Sequence, residues 1–286
     1  MARPVRIGAA CIEVGQDKES NLDVIRHYCE SAASQGVKLL AFGECAVQGY
    51  PVGLGQYDLD VYESQRRGAE TVPGPVTTQL MEFSQKYELE LIVGLTECPT
   101  EEGTVGMLFN SVVMVGPDGV IAKYRKVHTG DVEKCLWNRG ANWVVADSVA
   151  GKLGFLICYD LVFPEAARCL TLQGAELLVM STAWTSNHIR EGYEIFTRSR
   201  AFENQVYLLV ANLAGGPEGM GHYYGHSRIV DPQGHIIAES EGPGIAVAEV
   251  DISDGVLQAR ARGWWGLSHL ANREPRSYTV LSREIS

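Results

Sequence analysis

KLGFLICYDLVFPEAARCLTLQGAELLVMST (152–182) is the stretch that decides the fold. It reads as a short apolar strand (152–160), a helix from Pro164 to Gln173, a Gly, and a second strand, GAELLVMST (174–182). The same order stands near the N-terminus: strand VRIGAACIEV (5–14), a helix from Asn21 to Ser34, then GVKLLAFGE (36–44). Each half goes on through a longer loop and another helix, near Thr77 to Tyr87 and near Tyr193 to Asn204, into LELIVGLTE (89–97) and VYLLVANLAG (206–215). Each closes on a hairpin, NSVVMVGPDGVIAKYRK (110–126) and HSRIVDPQGHIIAESEG (226–242). The turns Gly-Pro-Asp-Gly and Asp-Pro-Gln-Gly supply a Pro that pre-sets φ and a Gly that accepts positive φ. No Gly/Ser-rich or Pro-rich linker separates the halves, so residues 1–286 are expected to form one domain. Apolar strands with amphipathic helices outside them point to an α/β fold: a four-layer α-β-β-α sandwich with an internal pseudo-two-fold duplication.

Composition narrows the function classes. The chain of 286 residues is 45% hydrophobic and 21% charged, enough to bury a large core. Its N-terminus enters a strand pattern directly, with no apolar leader and no run long enough to span a bilayer, so no membrane association is expected. Seven scattered cysteines without a C-x-x-C pair suit reduced thiols in a cytoplasm. A net charge of −11 disfavours nucleic acid and anionic membranes as partners. The histidines show no H-E-x-x-H or paired ligand spacing, so no metal is expected, and no G-x-G-x-x-G follows a strand, so no dinucleotide cofactor is either. Gly225-His226-Ser227 is not a serine-nucleophile elbow, because Ile229 stands where the last Gly should be.

Cys158 ends the strand that opens the second half and is followed by Tyr159-Asp160 and a Pro-led helix pattern. A thiol at such a junction is expected to feel the helix N-terminus and to ionise more easily. Cys11, near the equivalent place of the first half, lacks the Tyr-Asp turn and reads as a core cysteine. Glu44 ends the apolar run LLAFGE opposite Thr182, at the carboxyl ends of strands where ligands gather. Their chemistry is complementary. A thiol gains from a nearby base, which Glu44 supplies. Lys126 can hold an oxyanion, helped by the Tyr159 backbone N–H, and Glu133 can orient Lys126 or a substrate nitrogen. Such a set suits attack on a carbon bonded to nitrogen, with ammonia leaving.

FGECAVQGYP (42–51), YRKVH (124–128) with Glu133 following, and GFLICYDLVFPEAAR (154–168) resemble the three signature blocks of the nitrilase superfamily of carbon–nitrogen hydrolases. The resemblance extends through TRSRAFENQVYLLVAN (197–212), GHSRIVDPQG (225–234) and LANREPRSY (270–278). It implies a Glu-Lys-Cys triad carried by Glu44, Lys126 and Cys158, with Glu133 as the positioning glutamate and no cofactor. It also implies the same sandwich fold and assembly into homodimers or larger homo-oligomers through helices and the C-terminal tail, here about 257–286 with Trp264 and Trp265. His128 is structural in the family's block. Gly43 replaces the Pro that many relatives carry before the first Glu, and RGANW (139–143) replaces a common Pro-Gly-Asp turn. Cys158-Tyr159-Asp160 with Phe163-Pro164-Glu165 resembles the amidase and carbamoylase side, since true nitrilases typically carry Cys-Trp-Glu. Leu161 and Val162 stand where relatives that bind a carboxylate place an Arg. The expected activity is therefore hydrolysis of a small, largely apolar carboxamide through a Cys158 thioester, with Tyr50, Tyr159 and Trp184 contacting substrate. An N-carbamoyl compound and a nitrile are the alternative substrates, and a non-catalytic binding member of the fold is the remaining class.

Overall fold

Alternation along the strands sets the layers. Ile7 and Ala9 face one way and Ala10 the other; Leu177 and Val179 oppose Leu178 and Met180. Every one of these is buried, so each sheet must be covered on both sides. The computed structural model describes residues 4–51, 59–130, 132–186, 190–216, 222–262 and 267–283. In chain order the first half holds β1 (Val5–Cys11), α1 (Lys18–Ser34), β2 (Leu39–Ala41), α2 (Leu59–Gly68), α3 (Pro75–Tyr87), β3 (Glu90–Glu97), β4 (Phe109–Gly116) and β5 (Gly119–Arg125). The second holds β6 (Val145–Ser148), β7 (Gly151–Ile157), α4 (Pro164–Leu172), β8 (Leu177–Thr182), α5 (Arg190–Asn204), β9 (Tyr207–Asn212), the short pair β10 (Ala214–Gly215) and β11 (Tyr223–Tyr224), β12 (Ser227–Val230) and β13 (Ile236–Ser240). β14 (Gly244–Val250) and α6 (Ile252–Arg262) follow.

The two six-stranded sheets run β14-β1-β2-β3-β4-β5 and β6-β7-β8-β9-β12-β13. From one edge to the other, both pair antiparallel, parallel, parallel, antiparallel, antiparallel. Even the irregularities match: each terminal hairpin has one register shift, at Met114/Val115 and at Ile229/Val230. The duplication read from the sequence is therefore present in the topology. What the sequence reading lacked are the edge strands β6 and β14, which differ in origin: β6 precedes its half, whereas β14 comes from the chain's far end and pairs with β1 along Val5–Cys11. α2 and α6 were also not anticipated.

Three apolar layers result. Ile7, Ala9 and Ile92 meet Phe155, Val179 and Leu209 between the sheets. α1 and α3 cover the outside of the first sheet with Leu22, Ile25, Leu80 and Phe83, and α4 and α5 cover the second with Ala166, Leu170, Tyr193 and Ala201. At about 1.5–3 kcal/mol for each large side chain buried, these layers dominate the favourable side of folding. Asp17 caps α1 by accepting from the Ser20 N–H, and Pro75 and Pro164 open α3 and α4, where a missing N–H costs nothing. In the tail, α6 buries Ile252, Val256 and Ala259, while Val280 and Leu281 in the 3-10 stretch Pro275–Ser282 are exposed. Trp264 and Trp265 lie outside the described residues. Among those residues no helix is long and apolar enough to cross a membrane.

One strand is much shorter than its sequence pattern. GVKLLAFGE forms a ladder only over Leu39–Ala41, because the chain crosses the face of Gly94 in β3. The Phe42 N–H still bonds to the Ile92 carbonyl, but the Glu44 N–H turns to the Thr182 carbonyl of the other sheet, at 3.3 Å. Glu44 thus sits in a turn at the seam of the two sheets.

Candidate active site

Four side chains from separate parts of the chain converge at that seam. Glu44 is completely buried. Its Oε1 accepts from Lys126 Nζ at 2.7 Å and from Asn110 Nδ2 at 2.7 Å, and its Oε2 accepts from the Ala183 N–H at 3.1 Å. Lys126 follows β5, where its own N–H bonds to the Asn110 carbonyl and its carbonyl accepts from the Gly140 N–H at 2.7 Å. The ammonium also donates to Glu133 Oε1 at 2.7 Å. Glu133, on the 3-10 turn Val132–Cys135, is fixed from its other sides by the Tyr50 hydroxyl at 2.8 Å and the Gly130 N–H. A buried lysine between two buried carboxylates is thereby fully oriented.

Cys158 stands beside this group. It opens a 3-10 turn, Cys158–Val162, and its φ of 45° is left-handed, a conformation that costs a non-glycine residue energy and turns the side chain off the strand direction. Its thiol feels the charges of Glu44, Lys126 and Glu133. The Thr182 hydroxyl lies close enough to favour the thiolate slightly, yet has no hydrogen-bond partner of ordinary length among the described residues.

The electrostatics correct one expectation. The thiol is not made easier to ionise: burial, followed by the charge of Glu44, raises its pKa, and Lys126 offsets this only in part. The physical reason is desolvation of the sulfur at the seam, reinforced by the Glu44 charge. α4 begins only at Pro164, after the intervening 3-10 turn Cys158–Val162. Burial also raises Glu44, against the opposing charge of Lys126. For Glu133 burial acts upward as well, but Lys126, the Gly130 N–H and the Tyr50 hydroxyl outweigh it and hold the carboxyl below the usual range. Burial would lower Lys126, but Glu133 and Glu44 outweigh it and keep the ammonium charged well past its ordinary pKa. The arrangement therefore sets a thiol that resists ionisation beside a carboxyl whose pKa is also raised.

The expected substrate-contact residues separate. Tyr50 is engaged with Glu133, Tyr159 is 41% exposed and edges onto Phe163, and Trp184 packs on Tyr193 and Phe196 in the helix-side core. Leu161 is also a core residue, fully buried in the same layer. Cys11 is fully buried at the end of β1, as read. Gly43 has a steric reason: a Cβ there would meet Leu213 Cδ2 at 2.7 Å and the Thr182 carbonyl at 3.0 Å. Gly140 in RGANW is equally constrained, with the Arg125 carbonyl 2.1 Å from where a Cβ would stand. Sequence reasoning missed Asn110, the Ala183 N–H and Asp160. A polar residue second in the wholly buried β4 was the available signal for Asn110.

Residues 6–260 match the family model described as carbon–nitrogen hydrolase. The chain belongs to the carbon–nitrogen hydrolase family. A probable nitrilase of Schizosaccharomyces pombe is 30% identical over 258 residues, covering 87% of this chain and 90% of the relative. The omega-amidase of Homo sapiens is 30% identical over 245 residues, covering 82% and 84%. Among solved structures, a mutant amidase from Nesterenkonia sp. AN1 is 25% identical with a TM-score of 0.72, covering 91% of this chain and 95% of that one. In that structure the acetamide moiety of fluoroacetamide is covalently added to the active-site cysteine. This member of the family is a hydrolase of carbon–nitrogen bonds other than peptide bonds, with the α/β fold of the nitrilase superfamily.

Proposed function

We propose that the chain hydrolyses a small, largely apolar carboxamide to carboxylate and ammonia, with Cys158 as nucleophile, Glu44 as general base, Lys126 as oxyanion donor and Glu133 as positioning residue. The observation that carries this reading is Lys126 Nζ at 2.7 Å from both Glu44 Oε1 and Glu133 Oε1, with Cys158 in the field of all three. Glu44 accepts the thiol proton as Sγ attacks the carbonyl carbon. An ammonium has three N–H donors, of which two are committed to the carboxylates. The third, with the Tyr159 N–H, is left for the developing oxyanion, and each such donor contributes about 2.7–4 kcal/mol. Collapse breaks the C–N bond, Glu44 returns its proton to the leaving nitrogen, and ammonia departs from a thioester. Water then attacks the thioester with Glu44 again as base, releasing the carboxylate and the thiol.

Similarity to an omega-amidase makes the monoamide of a dicarboxylic acid the competing substrate class. Intact-mass measurement and ammonia release with a panel of apolar amides, dicarboxylic monoamides, N-carbamoyl compounds and nitriles separates these. A Cys158 adduct with apolar amides, absent in Cys158→Ala, supports the proposal. Turnover retained by Cys158→Ala, or confined to another class, overturns it.

We also propose a homo-oligomer built through the tail about 257–286, whose Leu257, Val280 and Leu281 are exposed in the single chain. Sedimentation at low concentration showing only monomer contradicts this.

A further inference from the structure

Asp160 has no part in the chemistry above, yet it is completely buried and its carboxylate takes three donated hydrogen bonds and a contact with an imidazole nitrogen. Oδ2 accepts from the Ile157 N–H at 3.0 Å and the Tyr124 hydroxyl at 2.7 Å. Oδ1 accepts from the His128 N–H at 2.9 Å and contacts His128 Nδ1 at 2.8 Å. These donors are not scattered. Ile157 immediately precedes Cys158, and Tyr124 and His128 flank Lys126 at equal distance along the chain. The donors themselves are held. Tyr124 is fully buried and its oxygen also accepts from the Val127 N–H, while the His128 ring lies flat on Phe163, with centroids 3.8 Å apart and planes at 11°.

We infer that Asp160, through His128 and Tyr124, is a positioning residue that holds Cys158 in its left-handed turn and sets the nucleophile against Lys126. This rests on the reading of Cys158 as nucleophile. The left-handed φ of Cys158 needs a restraint, and the main-chain N–H just before it supplies one by bonding back to a carboxylate in the same turn. The second oxygen ties that turn to the segment after Lys126, which belongs to the other sheet. Only an acceptor at both oxygens can do this. Each oxygen takes one main-chain N–H, and an amide in place of the carboxylate would set an NH2 against one of them.

The test uses Asp160→Asn, His128→Gln and Tyr124→Phe in the full chain. Its readouts are kcat and KM for ammonia release, the rate of alkylation by iodoacetamide followed on the Cys158 peptide by mass spectrometry, and circular dichroism. Asp160→Asn is expected to lower kcat about 100-fold with KM little changed, the scale of a 1 Å misplacement, and to slow alkylation. Tyr124→Phe, which removes one side-chain hydrogen bond, and His128→Gln, which removes the imidazole held between Asp160 and Phe163, are expected to lower kcat about 2- to 10-fold at constant KM. A folded Asp160→Asn protein with wild-type kcat and alkylation overturns the inference, as does a loss confined to KM. Should Asp160→Asn not fold, the other two decide: lowered kcat at constant KM supports the inference, and wild-type kinetics in both overturns it. If the wild-type protein turns over no amide, the amidase reading fails, while the alkylation rates still test how Asp160 presents the thiol.

Discussion

Lys126 Nζ lies 2.7 Å from Glu44 Oε1, and the two side chains are 1% and 0% exposed. Neither charge is solvated, so each depends on the other, and removing one member of such a pair costs about 3–5 kcal/mol. Lys126→Met would leave Glu44 and Glu133 facing each other without a counter-charge. The expected outcome is a drop in stability of that order by chemical denaturation, and a fall in ammonia release of at least about 100-fold from the lost donor. A stable variant that keeps its activity would remove Lys126 from both roles.

The raised pKa of Glu44 has a consequence for the pH profile. In the proposed role Glu44 works as a base only when ionised, so activity is expected to be lost as pH falls through the raised value, above the ordinary carboxylate pKa of about 4.3. Glu133, held low, stays ionised through that range. The acid limb of kcat/KM is therefore expected above about pH 4.3, as a property of the coupled cluster. A limb at or below that value contradicts Glu44 as the base.

Asn110→Ala removes one donor from the charged form of Glu44. Loss of a hydrogen bond to a carboxylate raises its pKa, so the acid limb should move to still higher pH, with kcat lowered about 10-fold at the plateau. A limb that stays in place would mean that Asn110 does not act through Glu44.

Gly94→Ala tests the close crossing that shapes the Glu44 turn. A Cβ there would stand 2.5 Å from the Gly43 carbonyl oxygen, 2.6 Å from the Cys45 nitrogen and 2.9 Å from Glu44 Cα, all main chain with no flexible side chain to give way. Overpacking of this kind costs about 1–3 kcal/mol, and here it also displaces Glu44, the proposed base. Melting temperature and kcat are expected to fall together.

Away from the site, Glu97 is fully buried among Arg125, Lys123 and Ser111. Burial alone would raise its carboxyl, but these partners outweigh it and hold the pKa below the usual value. Because the folded pKa is depressed, the contribution is complete above the unfolded pKa of about 4.3 and is lost as pH falls through the folded value. Glu97→Gln should be less stable by about 3–5 kcal/mol at neutral pH and lose less on acidification, as followed by denaturation at several pH values.

Most of the layer order was legible in the chain, because period and turn chemistry are local. The matched runs around Ile7 and Leu153, the hairpins at Gly119 and Gly234, and the helix openings at Pro75 and Pro164 each carry their own signal. β14 carried none, since its partner β1 lies more than two hundred residues away and its burial pattern is mixed. Of the site, the residue types of Glu44, Lys126, Glu133 and Cys158 were readable because their chemistry is complementary. Asn110 and Asp160 were not, because a supporting hydrogen bond leaves no pattern in sequence.

The sequence by itself pointed to the duplicated sandwich and brought Glu44, Lys126, Glu133 and Cys158 forward as the candidate site. Tertiary structure alone decided the direction in which their pKa values move. Burial of the sulfur at the seam, and then the charge of Glu44 brought across from the other half, disfavour the Cys158 thiolate. Desolvation and charge act through space, so the pKa of Cys158 belongs to the meeting of the two halves and not to the run of residues around it.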